Sequence, residues 1–481
     1  MTKIKARCKV YVTSYIIVTH RLANGVDEMT KSISIVAPSG MLGYGFPKQS
    51  FQNAFNQAVD AIVVDAGSTD AGPHKLGANA SIVSDMAIRK DLAIMIEEGI
   101  PRNIPIIIGS AGGTGSNEHV LKTYKMIQEI LKEKNYTAKI GLIYSEIDKK
   151  TMKLALREDG IENVSKNIHP LTNELIDETT RVVAQIGHEK IVEALEANLD
   201  IIICGRTYDP SVFAAVGIYH GMDYGLSYHL GKILECGALC AVPGTTKDSI
   251  VGTIYEDRFT VQSLNPIRKC TTNSVAAHTF YEKEHPYLLK GPGFLLDLSQ
   301  CKFNELSDGL IEVRNSKYIH ADDYYVKLEG AKVQGYRTFT IAGIRDNLLI
   351  ERLEEVENEI KQQVKSYFNE INESEYEINF INYGMNGVLH EYETETFSGH
   401  EIAVLIDVVA SSQEIADAIC ANVRSTFLHY GYEGRKSTAG NLAFPFAPSD
   451  VKFGPVYEFS VYHLMKVNRQ SFLSEIKKEG F

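Results

Sequence analysis

Apolar runs alternate with amphipathic stretches along the first part of the chain. The apolar runs, which predict buried strands, are 32–37, 61–64, one that begins at 104, 139–144 and 199–204. The stretches with apolar residues at helical spacing are 48–60, 84–99, 117–134, 149–158 and 179–197. Strands that alternate with helices in this way are typical of a mostly parallel sheet covered on both faces. The pattern therefore predicts a doubly wound α/β fold.

The stretch 106–118 has the sequence I-I-I-G-S-A-G-G-T-G-S-N-E, which predicts a strand, a glycine-rich loop and the start of a helix. Glycines let such a backbone turn sharply and approach a ligand closely, and the free N–H groups and dipole of a helix N-terminus favour a negative charge. The candidate anion-binding residues of the loop are Ser110, Gly112, Gly113, Thr114, Gly115 and Asn117. The spacing matches neither the P-loop nor the complete dinucleotide-binding motif, so the kind of anion stays open. The alternative is a tight turn without a ligand.

Four predicted strands end in loops that are rich in glycine or in charged residues, at 38–46, 65–77, 109–117 and 205–210. In a parallel α/β sheet, ligands bind beyond the carboxyl ends of the strands. The four loops therefore predict an active site at this edge of the sheet. Ser39 and Gly40, in the first loop, are further candidates for anion binding.

The second half of the chain has a different pattern. Residues 224–241 predict a helix with many small residues, and shorter strands are predicted at 253–264, 275–281, 293–298, 323–328 and 338–344. A segment rich in Asn, Glu and Ser at 369–375 indicates a boundary, and the strands and helix after it, including a strand at 441–446, indicate a small α+β, ferredoxin-like unit. We expect an N-terminal extension at 1–28, an α/β domain at 29–368, divisible into lobes at 29–223 and 224–368, and a small α+β domain at 376–481.

Composition and charge narrow the classes of partner. The 481-residue chain is 44% hydrophobic and 23% charged, as globular proteins are, and its formal net charge is −12 without a long basic block. Nucleic acid and membrane surfaces are therefore not expected as partners, and no apolar run reaches the roughly 18 to 20 residues of a membrane span. Seven cysteines without a C-x-x-C pair predict reduced thiols in a cytoplasmic protein. We expect a small anionic substrate and a homo-oligomer.

Five motifs together resemble the acyclic terpene utilisation AtuA family. They are P-S-G-M-L-G-Y-G from 38, D-A-G-S-T-D-A-G from 65, I-G-S-A-G-G-T-G-S-N from 108, I-C-G-R-T-Y-D-P from 203 and H-L-G-K-I-L-E-C-G from 229. The resemblance covers roughly 31–350, and the C-terminal unit is similar to the ferredoxin-like domain that often accompanies the family. It implies a role in the catabolism of branched acids through acyl-CoA intermediates, with a lyase or hydratase step.

Asp65 and Asp70 flank the sequence A-G-S-T after a predicted buried strand. Two neighbouring carboxyl groups can differ in pKa and serve as acid and base. The alternative for each is that it caps the loop by accepting backbone N–H bonds. Asp65, Asp70 and His74 could also hold a divalent metal ion, although the sequence leaves any metal unknown.

Arg206 and Asp209 lie on the short loop after the last strand of the α/β pattern. An arginine there can bind a carboxylate or phosphate through two N–H groups, and the alternative is an internal Arg–Asp pair that only shapes the loop. Glu235, in a predicted helix, is either a proton carrier or a hydrogen-bond acceptor between helices. The catalytic candidates are thus Asp65, Asp70, Asp209 and Glu235.

Two functions fit these features. The first is a lyase or hydratase in which Asp65 or Asp70 moves a proton next to the carbonyl of a branched carboxylate or acyl-CoA, while Arg206 and the amides of 112–115 bind negative charge. The second is a binding or regulatory protein for a nucleotide or a phosphorylated metabolite. Tight binding without turnover, coupled to a change in oligomeric state, would distinguish the second function from the first.

Overall fold

The computed structural model describes residues 31–68, 71–281, 285–436, 439–469 and 471–479. The predicted N-terminal extension and the candidate Asp70 lie outside the described residues. Ser32–Phe481 form one compact unit.

The strands of the described residues, in chain order, are β1 (Ile33–Ala37), β2 (Ala61–Asp65), β3 (Ile106–Gly109), β4 (Ala138–Ile143), β5 (Ile161–Asn163), β6 (Arg181–Gln185), β7 (Ile201–Cys204), β8 (Ala241–Val242), β9 (Ile250–Ile254), β10 (Arg258–Ser263), β11 (Lys269–Cys270), β12 (Leu288–Gly291), β13 (Phe294–Asp297), β14 (Lys302–Ser307), β15 (Leu310–Arg314), β16 (Lys317–His320), β17 (Tyr325–Ile344), β18 (Tyr376–Tyr383), β19 (Ile402–Ala410), β20 (Asp450–Lys466) and β21 (Ser474–Glu479).

The α-helices are α1 (Lys48–Asn53), α2 (Pro73–Ala78), α3 (Asp85–Gly99), α4 (Asn117–Lys134), α5 (Lys149–Arg157), α6 (Asn173–Glu178), α7 (Glu189–Glu196), α8 (Ser211–Tyr219), α9 (Tyr224–Leu234), α10 (Thr272–Thr279), α11 (Asn347–Glu351), α12 (Leu353–Tyr367) and α13 (Gln413–His429). Within the described ranges, none of these helices combines the length and the apolar character that a membrane-crossing helix requires.

A large mixed sheet forms the centre of the molecule, with the strand order β14-β15-β10-β9-β1-β2-β3-β7-β4-β21. Neighbours among β1, β2, β3, β7 and β4 are parallel. The pairs that extend the sheet beyond β1 on one side and beyond β4 on the other are antiparallel. The predicted α/β class is confirmed, but the sheet is mixed rather than mostly parallel, because antiparallel hairpins between 250 and 314 widen one side of it.

The parallel strands are buried on both faces. Every residue of β1, β2, β3 and β7 is buried. Along β3 and β7, Ile107 and Ile202 belong to the core on one face, whereas Ile108 and Ile203 belong to the core on the other. Helix α4 covers the second face with side chains that include Leu131. Burial on both faces explains why these strands are continuous apolar runs in the sequence.

A second sheet has the order β18-β19-β17-β20-β5, with β6 also paired to β17. The 20-residue strand β17 holds this sheet together, because one end pairs with β6, the other end pairs with β19, and β20 runs along nearly its whole length. Helices α12 and α13 pack on one face through a separate apolar core. β18, β19 and β20 therefore share this sheet with earlier strands, and β21 pairs with β4 in the first sheet. The ferredoxin-like assignment and the domain boundaries stay predictions.

Some element predictions were wrong. Residues 179–197 are not one helix, since they form β6 and then α7, and 275–281 belong largely to α10 instead of a strand. The strands predicted at 323–328 and 338–344 are parts of one strand, β17, and 441–446 contains only an isolated bridge. Short apolar runs fit either periodicity, and pairing with distant strands, as between β6 and β17, decides which structure forms.

The packing of α4 on the sheet predicts a contrast between two leucines. Leu131→Ala should lower the free energy of unfolding by about 2–5 kcal/mol, because Leu131 is fully buried and its truncation leaves a cavity. Leu154→Ala, the same change on α5 at a side chain that is 53% exposed, should change it by less than about 0.5 kcal/mol. Chemical denaturation of both variants measures the difference, and equal losses would contradict this packing.

Candidate active site

Backbone hydrogen bonds tie together the loops that follow β2, β3 and β7. The amide of Ala66 donates to the carbonyl of Gly109 at 3.0 Å, and the amide of Ser110 donates to the carbonyl of Gly205 at 3.1 Å. These bonds continue the parallel pairing beyond the carboxyl ends of the strands. They bring the end of β2 beside Arg206.

The guanidinium of Arg206 is bonded to side chains from two loops and from strand β17. Its Nε donates to Oε2 of Glu329 at 3.0 Å, and its Nη1 donates to Oδ1 of Asp209 at 2.6 Å and to Oγ of Ser110 at 3.0 Å. Burial by itself would lower the pKa of Arg206, but the charges of Glu329, Asp209 and Asp65 raise it well above its ordinary value. The arginine therefore stays charged. The internal Arg–Asp pair is present, and ligand binding by Arg206 stays a prediction.

Gly67 and Gly115 are needed for the packing around this arginine. A Cβ atom at Gly115, where φ is +66°, would lie 2.1 Å from the backbone nitrogen of Arg206. A Cβ atom at Gly67 would lie 2.4 Å from Cβ of Ser110 and 2.9 Å from Nη1 of Arg206. Any larger residue at either position would push the loops apart. Both positions therefore require glycine for the loops to pack this closely.

Asp65, the last residue of β2, is a buried carboxyl with one oxygen left unbonded. The residue is 3% exposed, and its Oδ2 accepts the N–H of Gly67 at 2.8 Å, which is the predicted capping contact. Oδ1 has no partner at hydrogen-bond geometry among the described residues, although the hydroxyl of Ser110 lies near enough to the carboxyl to lower its pKa slightly. Burial raises the pKa of Asp65 to about 7, and the charge of Asp209 adds to this, while Arg206 and the bond from Gly67 oppose it. Asp65 can therefore exchange a proton near neutral pH.

Glu235, which follows α9, is a second carboxyl of this kind. The residue is 6% exposed, and its Oε1 accepts a hydrogen bond from Nζ of Lys232 at 2.6 Å. Its Oε2 accepts no hydrogen bond from the described part of the chain. Burial raises the pKa of Glu235 to about 8, which Lys232 opposes and Asp209 supports. The observed partner lies one turn earlier in α9, so within the described ranges Glu235 forms no hydrogen bond to another helix, which was the alternative to its role as a proton carrier.

One cavity of about 300 Å³ brings together three of the predicted catalytic residues, Asp65, Asp209 and Glu235. Its wall also includes Gly40, Tyr44, Ser68, Cys236, Thr246 and Tyr281. A cavity of this size holds a small molecule or the reacting end of a larger one. The loops after β1, β2 and β7 and the end of α9 therefore meet at one space, whereas the fourth predicted loop, 109–117, contributes no described residue to its wall.

Several amides of the glycine-rich loop at 109–117 are bonded within the chain. The N–H groups of Gly113 and Gly115 donate to carbonyls earlier in the loop, at 2.8 and 3.0 Å. At the N-terminus of α4, Oε1 of Glu146 accepts the N–H of Asn117 at 2.8 Å. A carboxylate of the protein thus occupies the position that the sequence assigns to an anionic ligand. These bonds favour the tight-turn alternative for this loop.

The predicted anion-binding residues are spread over several places. Gly40 lines the cavity, whereas Gly113 and Thr114 line a separate cavity of about 20 Å³. The hydroxyl of Ser39 donates to a carbonyl two residues later in its own loop, at 2.9 Å. Gly112 packs closely against His119, from which a Cβ atom at this glycine would lie 2.5 Å away. Among these residues, only Gly40 is in place to contact a ligand beside Asp65 and Glu235.

The structure gives the predicted metal site no direct support. His74 packs against the rings of Phe453 and Tyr457, with centroid distances of 5.4 and 5.5 Å. Within the described ranges, no group of three or more His, Cys, Asp or Glu side chains is placed to hold a metal ion. Because Asp70 is outside those ranges, a site formed with Asp65 and His74 stays a prediction.

Comparison with protein families matches residues 33–248 to the model described as acyclic terpene utilisation family protein AtuA. This part of the chain is an AtuA-family domain. The family resemblance seen in the sequence is therefore confirmed there, and the AtuA domain contains Asp65, Arg206, Asp209 and Glu235. The comparisons with curated proteins and with solved structures gave no match.

The sequence patterns did not identify two charged residues of the candidate site, Lys232 and Glu329. Lys232 lies three residues before Glu235, a spacing at which side chains on a helix meet, so the pair could have been recognised. Glu329, the partner of Arg206, lies in β17 and outside the matched AtuA domain. A contact across 123 residues of sequence leaves no local signal.

The raised pKa values predict how stability depends on pH. Because the pKa values of Asp65 and Glu235 are higher in the folded protein than their ordinary 3.8 and 4.5, bound protons stabilise the folded state at acidic pH. This contribution is complete below about pH 4 and is lost as the pH rises through about 7 to 8, by about 1.4 kcal/mol for each unit of pKa difference.

Denaturation midpoints at several pH values test this expectation. Compared with the double variant Asp65→Asn, Glu235→Gln, the wild type should lose stability progressively between about pH 4 and pH 8. The exposed Glu414→Gln serves as the control and should keep the wild-type slope. If the double variant also keeps that slope, the two carboxyls do not titrate as described.

Proposed function

We propose that this protein is an enzyme of the lyase or hydratase class, acting on a branched carboxylate or acyl-CoA in the cavity at the carboxyl ends of β1 and β2. One observation carries the proposal. Asp65 and Glu235 line the same cavity, each has an oxygen without a hydrogen-bond donor in the described residues, and burial raises the pKa values to about 7 and about 8. Paired carboxyls with different pKa values near neutrality suit proton transfer in both directions.

Removal of water from a hydroxyacyl group needs a base and an acid. The base takes the proton from the carbon next to the carbonyl, and the acid gives a proton to the leaving hydroxyl, which departs as water. Asp65, with the lower pKa, is the better candidate for the base, and Glu235, largely protonated at neutral pH, is the better candidate for the acid. Hydration uses the same groups in the opposite roles.

Asp209 has a supporting part in this proposal. Its Oδ1 is bonded to Arg206, and its charge helps to raise the pKa of both Asp65 and Glu235. Arg206 in turn holds the loops that carry these carboxyls. Asp209 therefore tunes the two proton carriers more than it transfers a proton itself.

The alternative, a binding or regulatory protein for a nucleotide, receives less support. A phosphate at the N-terminus of α4 would have to displace the carboxylate of Glu146 from the N–H of Asn117. A phosphate in the larger cavity would face Asp65, Asp209 and Glu235. Both positions are therefore unfavourable for a strongly negative ligand.

The proposed function includes a cytoplasmic location and a homo-oligomeric assembly. The described cysteines are free thiols, which suits a reducing compartment such as the cytoplasm. We also retain the expectation of a homo-oligomer, with the C-terminal α+β unit of 376–481 serving in assembly or in covering the site.

A ligand screen followed by a turnover assay tests the proposed function. Dialysed protein is screened by thermal shift against CoA, acyl-CoA esters, branched carboxylates, nucleotides and divalent ions, and a ligand at about 100 times its Kd should stabilise it by roughly 2.7 kcal/mol. Stabilising acyl compounds are then assayed for gain or loss of water. Asp65→Asn and Glu235→Gln should each lower kcat at least about 100-fold, because each removes a proton carrier.

Glu357→Gln is the matched control for these variants. Glu357 is a half-buried carboxyl whose pKa is also raised to about 7 by burial, but it lies on α12 and accepts a bond from Asn382 at 2.9 Å, away from the cavity. It should keep full turnover. Full activity in folded Asp65→Asn and Glu235→Gln, or stabilisation by nucleotides alone, would reject the proposed function.

A further inference from the structure

A second cavity, of about 360 Å³, lies beside the start of α9 and the turn between β15 and β16. Its described lining residues include Asp223, Ser316 and Lys317, and none of them lines the cavity that contains Asp65 and Glu235. Ser316 is 8% exposed, so its side chain is largely covered by protein and borders this cavity. The space beside Ser316 is large enough for a small ligand.

His229 of α9 is bonded to Ser316 through one ring nitrogen and to α10 through the other. Its Nδ1 lies 2.7 Å from Oγ of Ser316, and its Nε2 lies 3.1 Å from Oγ1 of Thr279. The hydroxyl of Thr279 donates its proton to the carbonyl of Val275 at 3.0 Å, so it accepts the N–H of Nε2. A neutral imidazole has one N–H group. In the neutral ring Nδ1 is therefore unprotonated, and the hydroxyl of Ser316 donates to it.

The backbone holds Ser316 and His229 together. Gly225 precedes His229 by one turn of α9, and a Cβ atom at Gly225 would lie 2.4 Å from the carbonyl oxygen of Ser316. Asn315, whose φ is +67°, turns the chain directly before Ser316. The ring of His229 is fully buried and packs against the edge of Phe259 at a centroid distance of 5.2 Å. One face of α9 thus contacts the backbone of Ser316 and carries His229.

The thiol of Cys301 is a weaker partner of the same pair. Its Sγ lies 3.7 Å from Oγ of Ser316 and 3.8 Å from Nδ1 of His229. A thiol is a weak donor, and the hydroxyl of Ser316 is much closer to Nδ1. Ser316 is therefore the main donor to the histidine.

A hydroxyl bonded to the unprotonated nitrogen of a histidine, whose other nitrogen is held by a third group, is the arrangement of an activated nucleophile. We propose that Ser316 and His229 form a second catalytic site, at which the protein hydrolyses a small carboxylic ester. The third group, Thr279, is a neutral hydroxyl instead of a carboxylate, so it orients the ring without stabilising a positive charge on it. This reaction goes beyond the proposed lyase or hydratase function and uses other residues.

Hydrolysis at this site takes two steps. In the first, Oγ of Ser316 forms a bond to the carbonyl carbon, its proton moves to Nδ1 of His229, and Nδ1 gives that proton to the alcohol as its bond to the acyl group breaks. In the second, water attacks the acyl group, its proton moves to Nδ1, and Oγ of Ser316 takes that proton back as it leaves. Lys317, on the same wall, supplies a positive charge for the oxygen that becomes negative. One water is consumed, and an acid and an alcohol are released.

Covalent labelling of the wild-type, full-length protein tests the nucleophile directly. Phenylmethanesulfonyl fluoride reacts with an activated serine hydroxyl, which bonds to the sulfur as fluoride leaves. Peptide mass spectrometry should find the sulfonyl group on Ser316 and not on Ser299, which lines the same cavity beside Asp297. No label, or a label on another residue such as Cys301, overturns the proposal. The result does not depend on the folding of any variant.

Hydrolysis of 4-nitrophenyl acetate tests the two roles. The wild type should release 4-nitrophenolate in a burst followed by a slower steady rate, because the acyl-serine accumulates before water removes it. Ser316→Ala should abolish the burst. His229→Gln should slow it at least about 100-fold, because the proton of Ser316 then has no base to accept it.

Ser460→Ala is the matched control. Ser460 is also 8% exposed and its hydroxyl also has a partner at 2.7 Å, but that partner is the hydroxyl of Thr179. This variant should keep the burst and the label on Ser316. A burst that persists in folded Ser316→Ala overturns the proposal. None of these measurements involves the lyase or hydratase reaction, so either proposal can fail while the other stands.

Discussion

The buried guanidinium of Arg206 is the constraint on which the candidate site depends. A charge removed from water must be paired and fully bonded, since its desolvation otherwise costs several kcal/mol. The loop after β3 supplies Ser110, the loop after β7 supplies Asp209, and β17 of the second sheet supplies Glu329. One side chain thus links the two sheets and sets how closely the loops approach. The glycines at 67 and 115 follow from that approach, because a larger residue would collide with this group of atoms.

The same arrangement raises the pKa values of the two carboxyls that line the cavity, Asp65 and Glu235. Burial is the largest cause of the raised pKa of Asp65. The negative charge of Asp209, which is bonded to Arg206, raises this pKa further. Burial also raises the pKa of Glu235, the charge of Lys232 opposes this increase, and the charge of Asp209 adds to it to a smaller extent. The structural ion pairs and the proposed proton carriers are therefore one electrostatic unit.

The sequence could predict the parallel strands and the edge of the sheet at which the candidate site lies. β1, β2, β3 and β7 are almost entirely apolar, and β4 is interrupted by the exposed Lys139. The polar and glycine-rich loops after several of these strands predict a ligand-binding site at their carboxyl ends. The loop at 109–117 shows the limit of this reasoning. Its glycines and its helix start look suited to an anion, yet the acceptor for Asn117 is Glu146, which no local pattern identifies. The same limit hid Glu329 and the pairing of β6 with β17, because contacts between distant segments leave no periodicity in either one.

The most direct measurement of the central claim is a carboxyl ¹³C NMR titration of the protein and of its Asp65→Asn and Glu235→Gln variants. Two carboxyl resonances of the wild type should titrate between about pH 6 and pH 9, and each variant should lose one of them. The remaining resonance should shift its midpoint, because the two carboxyls influence each other's pKa. If both groups titrate below about pH 5, like ordinary carboxylates, the account of this cavity as a pair of proton carriers is wrong.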